Sequence, residues 1–122
     1  MLGNVVEIRR RKGNDGEVLA AEYLVKQGFE ILDRQYLTRL GEIDLVARDG
    51  DEIVFVEVKA RFGLDFGHPE EAVTPSKLRK IANTAQLYIR QKGMIDVSFR
   101  IDVVAVRLDM NPPEIVHLEN VY

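Results

Sequence analysis

Residues 41–61 alternate between apolar and polar side chains on both sides of a short turn. The turn contains Asp49-Gly50, and an Asp-Gly pair between two alternating runs is among the strongest local signals for a β-hairpin. A two-residue turn lies either at Asp49-Gly50 or at Gly50-Asp51. Because neighbouring side chains of a strand point to opposite faces of its sheet, the pattern predicts two antiparallel strands with one apolar face and one charged face.

The charged face carries Asp44, Glu57 and Lys59 for either position of the turn, and Asp44 opposes Phe55 or Glu57. The apolar face is predicted to hold Ile43, Leu45, Val54, Val56 and Val58. Two carboxylates on neighbouring strands, roughly 5 Å apart in backbone, repel each other unless a positive group lies between them. Lys59 would supply that charge, and so would a divalent cation such as Mg²⁺, which prefers carboxylates, waters and phosphate oxygens.

A solvated sheet face with an ordinary cross-strand salt bridge is the alternative to a metal or catalytic site. Against this alternative, Ile53 and Phe55 share the charged face with Glu57 and Lys59. The strand is therefore apolar on both sides at its start, which is typical of a central strand. Charges clustered at the end of such a strand favour a functional site.

The chain before the hairpin predicts a helix and a short strand. Asn14 or Asp15 is suited to cap the start of the helix, and Gly28 is suited to end it. Glu17 falls in the first turn of this helix, where the helix dipole stabilises a carboxylate. A strand follows from Phe29 to about Tyr36.

The chain after the hairpin predicts a loop, a second helix and two more strands. Residues 61–73 are rich in glycine and contain His68, a candidate base or ligand, and they predict a mobile loop beside the charged face. The segment Thr74-Pro75-Ser76 begins a helix that Gly93 ends. Strands are predicted over residues 97–108 and 115–118, the last at an edge. The fold class is mixed α/β, with the order αβββαββ.

Arg100 and Asp102 stand two residues apart on the strand over residues 97–108, so they share one face. The pair predicts a structural ion pair.

Composition limits the function more than the fold. The 122 residues form a single domain over residues 1–122, without cysteine and with a net charge of −3. The absence of cysteine suits a reducing cytoplasm, and no apolar run is long enough to span a membrane. A negative charge is unusual for a nucleic-acid-binding protein unless basic residues cluster locally. Candidates for such a cluster are Arg9–Lys12, Arg34, Arg39, Arg61, Lys77, Arg79 and Lys80.

Asp44, followed after twelve residues by Glu57-Val58-Lys59, resembles the Asp…Glu-x-Lys signature of the PD-(D/E)XK nucleases. From Gly13 to Tyr122 the chain also resembles the YraN-like family of small uncharacterised bacterial proteins. Ile43 stands where the nuclease signature has proline. The segments that carry the family resemblance are Gly16-Glu17, Gly41–Leu45, Phe55–Arg61 and Arg100–Val104.

The resemblance implies a restriction-endonuclease-like fold and a Mg²⁺- or Mn²⁺-dependent endonuclease that hydrolyses phosphodiester bonds of DNA. The substrate would be branched or otherwise structured DNA, and the protein would act as a homodimer, as Holliday junction resolvases of similar size do. Asp44, Glu57 and the backbone carbonyl of Val58 would bind the metal, and Glu17 would add a third carboxylate. Lys59 would orient the attacking water or stabilise charge on the phosphate.

Nucleic-acid contacts are expected from Arg61, Lys77 and Lys80. Lys77 lies in the first turn of the second helix, where its charge opposes the helix dipole and favours a nearby phosphate. Two other functions stay open. One is a nucleic-acid-binding module of the same fold that does not cut, and the other is a structural domain that binds a protein partner.

Overall fold

The computed structural model describes residues 5–62 and 73–122, with side chains from residue 15 onward. A five-stranded sheet carries one helix on each face, and the predicted mixed α/β fold with the order αβββαββ is confirmed. The elements are α1 (Val5–Lys26), β1 (Glu30–Thr38), β2 (Gly41–Asp49), β3 (Glu52–Arg61), α2 (Pro75–Gln91), β4 (Ser98–Arg107) and β5 (Glu114–Leu118).

The strands lie in the sheet in the order β1-β2-β3-β4-β5. Neighbouring strands are antiparallel except β3 and β4, which are parallel because the chain returns through α2 between them. The prediction that β3 is central is confirmed, and so is the prediction that the last strand lies at an edge. The charged end of β3 is therefore held in the middle of the sheet.

The turn between β2 and β3 is Gly50-Asp51, since Asp49 pairs with Glu52. Gly50 has a φ of 62°, a left-handed conformation that glycine adopts without a steric cost. In this register Leu45 pairs with Val56. Asp44 is one residue further along and comes to lie next to Glu57, so the alternative in which it opposes Phe55 is excluded.

Apolar residues fill both faces of the sheet and form two cores. The core under α1 contains Leu24, Val54, Val56 and Val104, and the core under α2 contains Phe55, Ile81, Tyr88 and Ile101. Full burial of a side chain of this size contributes about 1.5–3 kcal/mol. Packing on both faces fixes the register of β3 and therefore the positions of its polar residues.

The prediction that Ile43 shares a face with Leu45 is wrong. Ile43 packs in the core under α2, whereas Leu45 packs in the core under α1. On β1, Tyr36 pairs with Ile43 and Arg34 pairs with Leu45. Gln35 lies between these two partners with a φ of 52°, which is unusual for a residue with a side chain and interrupts the regular alternation. The irregularity lies directly beside Asp44.

The prediction that α1 begins at Asn14 or Asp15 is also wrong, because the helix begins at Val5. Gly16 is inside the helix and is buried against β3. A Cβ atom added at Gly16 would lie 2.9 Å from the Cβ of Ala60, closer than carbon atoms pack. Gly16 therefore does not mark the start of α1; it permits a close contact between α1 and β3.

The second helix follows its prediction. Thr74 caps α2 and its hydroxyl accepts a hydrogen bond from the N–H of Lys77, Pro75 is the first helical residue, and Gly93 follows the helix with a φ of 65°. A cap of this kind stabilises a helix by about 1 kcal/mol. The loop between β3 and α2, with His68, lies largely outside the described residues. No helix in the described part of the chain is long and apolar enough to cross a membrane.

Candidate active site

The side chain of Asp44, on β2, forms a hydrogen bond with the backbone of the neighbouring strand β3. Its Oδ2 atom accepts a hydrogen bond from the backbone N–H of Val58, with the two atoms 2.8 Å apart. This bond holds the carboxylate beside Glu57, which precedes Val58 in the central strand. The structure thus brings together the two acids that the sequence predicts to share a face.

The electrostatic environment of Asp44 is unfavourable for a negative charge. Burial raises the pKa of Asp44 to about 8, the neighbouring Glu57 and the more distant Glu17 add to the increase, and the N–H of Val58 opposes it. A carboxyl group in this position gains from a nearby cation more than an exposed one does, because burial weakens the screening by water.

Two lysines approach Glu57, whose side chain is 9% exposed. The Nζ atom of Lys77 lies 3.2 Å from Oε1 of Glu57, and the Nζ atom of Lys59 lies 3.8 Å from the same oxygen. Lys59 reaches it from the same strand, two residues away. Lys77 reaches it from the first turn of α2. The solvated ion pair considered from sequence does not describe Glu57, which is buried.

The two lysines have different proton affinities. Burial lowers the pKa of Lys59, and the adjacent positive charge of Lys77 lowers it further, whereas Glu57 acts in the opposite direction. For Lys77, burial also disfavours the charged form, but interactions with Lys59, Glu57 and Asp44 outweigh it and raise the pKa. Lys59 is therefore the lysine that gives up a proton more readily.

An open cleft of about 190 Å³ gives access to the two acids. Lys80 and Ile81 of α2 line one side of it, next to Lys77, and Gly41 lies close to Thr84. A Cβ atom at Gly41 would lie 3.0 Å from the hydroxyl oxygen of Thr84, so glycine keeps the cleft open there. Of the predicted nucleic-acid contacts, Lys77 and Lys80 both line the cleft.

Two further predicted site residues, Glu17 and Arg61, are not among the residues that line this cleft. Glu17 accepts a hydrogen bond from the side-chain amide of Gln35, at 2.8 Å, a contact that sequence analysis missed because Gln35 carries no motif. Glu17 acts on Asp44 electrostatically. Arg61 donates a hydrogen bond to the carbonyl of Ala60 and is near enough to Lys59 to lower its pKa.

One trio of possible metal ligands occurs within the described residues, at Asp102, His117 and Glu119. Within the described residues, Glu17, Asp44 and Glu57 therefore do not form a trio whose ligand atoms all lie within 4.8 Å of one another. The role of Glu17 as a third metal ligand stays a prediction. In the Asp102 trio, both oxygens of Asp102 already accept hydrogen bonds from the guanidinium group of Arg100.

A permanent cation bonded in this way to Asp102 competes with any metal ion. Arg100 also lies over the ring of Phe29 in the core under α1, and His117 packs against the same ring. The predicted structural ion pair of Arg100 and Asp102 is thus present, and it lies on the opposite side of the sheet from the cleft.

Comparison with known sequences identifies the family. The sequence model of "Uncharacterised protein family UPF0102" matches residues 16–106. A UPF0102 protein of Geobacter sulfurreducens is 46% identical over 111 residues, which cover 90% of this chain and 87% of that protein. A UPF0102 protein of Rhodococcus jostii is 47% identical over 111 residues, or 90% and 94% of the two chains. The chain therefore belongs to the uncharacterised protein family UPF0102, the YraN-like family that its four sequence segments resemble.

Proposed function

We propose that this protein is a metal-dependent nuclease that hydrolyses phosphodiester bonds of DNA. The observation that carries the proposal is the pair of carboxylates, half-buried Asp44 and buried Glu57, at an open cleft that Lys77 also lines, with Lys59 close to Glu57. Acids that bind a metal and amines that bind phosphate are the groups that this reaction needs.

The donor groups fit Mg²⁺ or Mn²⁺, because they are oxygen atoms. Asp44 and Glu57 would hold the ion, with the carbonyl of Val58, and Glu17 would join directly or through a water. A bound cation would offset both the burial and the repulsion by Glu57 that raise the pKa of Asp44. When bound, such an ion lowers the pKa of its water and polarises the phosphodiester group.

The lysines provide the remaining chemistry. Lys59 would orient the attacking water or stabilise the charge that develops on the phosphate, and its lowered pKa suits it to exchange a proton with that water. Lys77 and Lys80 would contact the phosphate backbone from α2, whose N-terminus attracts anions. Arg61 would extend this basic surface along the end of β3.

The resemblance to small junction resolvases favours branched or structured DNA as the substrate and a homodimer as the acting form. Two strands must be cut at such a junction, and each copy of the chain has one pair of acids at its cleft. A DNA substrate would place the protein in the bacterial cytoplasm.

Cleavage of labelled DNA tests the proposal. Single-stranded, duplex and four-way-junction DNA would be incubated with Mg²⁺, Mn²⁺ or EDTA and with the variants Asp44→Asn, Glu57→Gln and Lys59→Met. We expect cleavage that requires a divalent ion and falls about 100-fold or more in each variant. The matched control is Asp51→Asn, which removes an exposed acid from the turn of the same hairpin. Cleavage that survives in all three variants would contradict the assignment.

A second candidate is a nucleic-acid-binding module that does not cut. It is favoured by the charge balance around Asp44 and Glu57, where Lys59 and Lys77 can neutralise the acids without a metal. This candidate predicts binding that weakens with salt and no cleavage with any divalent ion.

A further inference from the structure

Lys77 lies closer to Glu57 than Lys59 does. Its Nζ atom is 3.2 Å from Oε1 of Glu57, compared with 3.8 Å for Lys59, and the Asp44 carboxylate also attracts it. Glu57 is almost fully buried, so water screens this ion pair only in part. The ammonium group of Lys77 is thus a direct counterion of the acids that would bind a metal.

The origin of Lys77 distinguishes it from Lys59. Lys59 follows Glu57 on the same strand, whereas Lys77 extends from the first turn of α2, which contains no acidic residue. A positive charge at the N-terminus of a helix is repelled by the helix dipole. The carboxylates across the cleft are therefore what draws Lys77 into its present position.

Lys77 also has room to leave. Its side chain is 41% exposed and lines the open cleft next to Lys80. A divalent cation bound to Glu57 would neutralise the attraction and repel the ammonium group. The lysine would then turn into the cleft, where a substrate phosphate would be attracted both by it and by the N-terminus of α2.

We infer that Lys77 occupies the cation position at Asp44 and Glu57 in the metal-free protein, so that a divalent ion binds by displacing its ammonium group. The inference rests on the proposed function, because it takes Asp44 and Glu57 to be the metal ligands. It makes Lys77 a positioning residue that links metal binding to phosphate binding.

Direct titration of the full chain with Mn²⁺, after treatment with EDTA and without nucleic acid, tests the inference. Calorimetry would give the Kd for the wild type and for Lys77→Gln, Lys77→Arg and Lys80→Gln. We expect Lys77→Gln to bind Mn²⁺ about three- to tenfold more tightly, because a competing charge is gone. Lys77→Arg keeps the charge and should keep the wild-type affinity within about twofold.

Lys80→Gln is the matched control, since Lys80 lines the same cleft from the same helix and carries the same charge. A similar gain in Lys80→Gln or in Lys77→Arg would overturn the inference, because the effect would then not require the ion pair with Glu57. Unchanged or weaker Mn²⁺ binding in Lys77→Gln would also overturn the inference. In that case, titration of Asp44→Asn separates the inference from the proposed function: if the wild type binds Mn²⁺ and Asp44→Asn does not, the proposed metal site stands. No binding by any of these proteins would overturn both the inference and the metal-dependent function.

Discussion

Asp102 is fully buried, and each of its oxygens accepts two hydrogen bonds. Oδ1 accepts from Arg100 and from the backbone N–H of Asn120, and Oδ2 accepts from Arg100 and from Nε2 of His117. A carboxylate can only accept, so His117 donates from Nε2, and its Nδ1 lies 3.3 Å from the hydroxyl oxygen of Tyr23. These contacts join β4 to β5 and to α1.

The same contacts make stability depend on pH. Burial disfavours the carboxylate, but its bonds to His117, Arg100 and Asn120 outweigh burial and lower the pKa of Asp102. Because the folded pKa is below the unfolded value of about 3.9, Asp102 stabilises the fold above that pH and loses its contribution as the pH falls through the folded pKa. We expect Asp102→Asn to lower the free energy of unfolding by about 2–4 kcal/mol at pH 7.

Urea unfolding between pH 7 and pH 2.5 would measure this difference, which should shrink as the pH falls below about 4. Asp96→Asn is a suitable control, since Asp96 is exposed and its φ of 56° is one that asparagine also tolerates. A difference between wild type and Asp102→Asn that stays constant over the whole range would show that the carboxylate charge is not responsible.

At the scale of elements, the contact between α1 and β3 sets how close the first helix comes to the site. Gly16 packs on Ala60, and Glu17 follows Gly16 directly. We expect Gly16→Ala to destabilise the fold by about 1–2 kcal/mol, because the cost of pushing the helix away exceeds the gain in helix propensity. Chemical denaturation monitored by circular dichroism would measure the change.

The double variant Gly16→Ala with Ala60→Gly moves the methyl group from the strand to the helix. Ala60→Gly alone should cost about 0.5–1 kcal/mol, as glycine does within a strand. If the steric contact is the cause, the decrease in the free energy of unfolding of the double variant should be smaller, by at least about 1 kcal/mol, than the sum of the decreases in the two single variants. Additive losses would rule out this contact as the cause.

The errors in sequence interpretation occurred where tertiary contacts override local signals. The hairpin, the second helix and the order of elements follow from alternation, caps and turn residues, which act between neighbours in sequence. Gly16 gives the same local signal whether it precedes a helix or packs on a strand, so its role needed Ala60, 44 positions away in the sequence. Ile43 changes face where β2 lies beside Gln35, whose unusual φ no pattern in β2 reveals.

The candidate site divides in the same way. Asp44, Glu57 and Lys59 lie on one hairpin, so the spacing across the turn was enough to predict that they come together. The pairing of Lys77 with Glu57 depends on how α2 packs on the sheet, and the only sequence signal was a lysine that opposes the helix dipole. His117 bonds to Asp102 from another strand, 15 residues away, and carries no local signal at all.

For the whole molecule, the distribution of charge matters more than its sum. The net charge of −3 predicts weak attraction to nucleic acid, but Lys77 and Lys80 line the described cleft beside the two acids, and Lys59 lies close to Glu57. Neutralisation of those acids by a metal would leave a positive cleft on an otherwise acidic protein. In the proposed nuclease, metal binding, charge and stability would therefore be linked through Asp44 and Glu57.

This link predicts how the whole fold responds to metal. In EDTA at pH 7, Asp44→Asn should be more stable than the wild type by about 1–2 kcal/mol, because burial and Glu57 raise the pKa of Asp44 to about 8, so that the wild-type carboxyl must take up a proton on folding and asparagine need not. Mg²⁺ at about ten times its Kd should stabilise the wild type by about 1.4 kcal/mol and raise Tm by about 5 °C. The same Mg²⁺ should leave Tm of Asp44→Asn unchanged.

Thermal unfolding of both proteins with and without Mg²⁺ would measure these shifts, with Asp51→Asn as a control that responds like the wild type. An equal rise in Asp44→Asn would mean that the ion binds elsewhere, since only a ligand specific to the folded site can produce a difference between the two proteins.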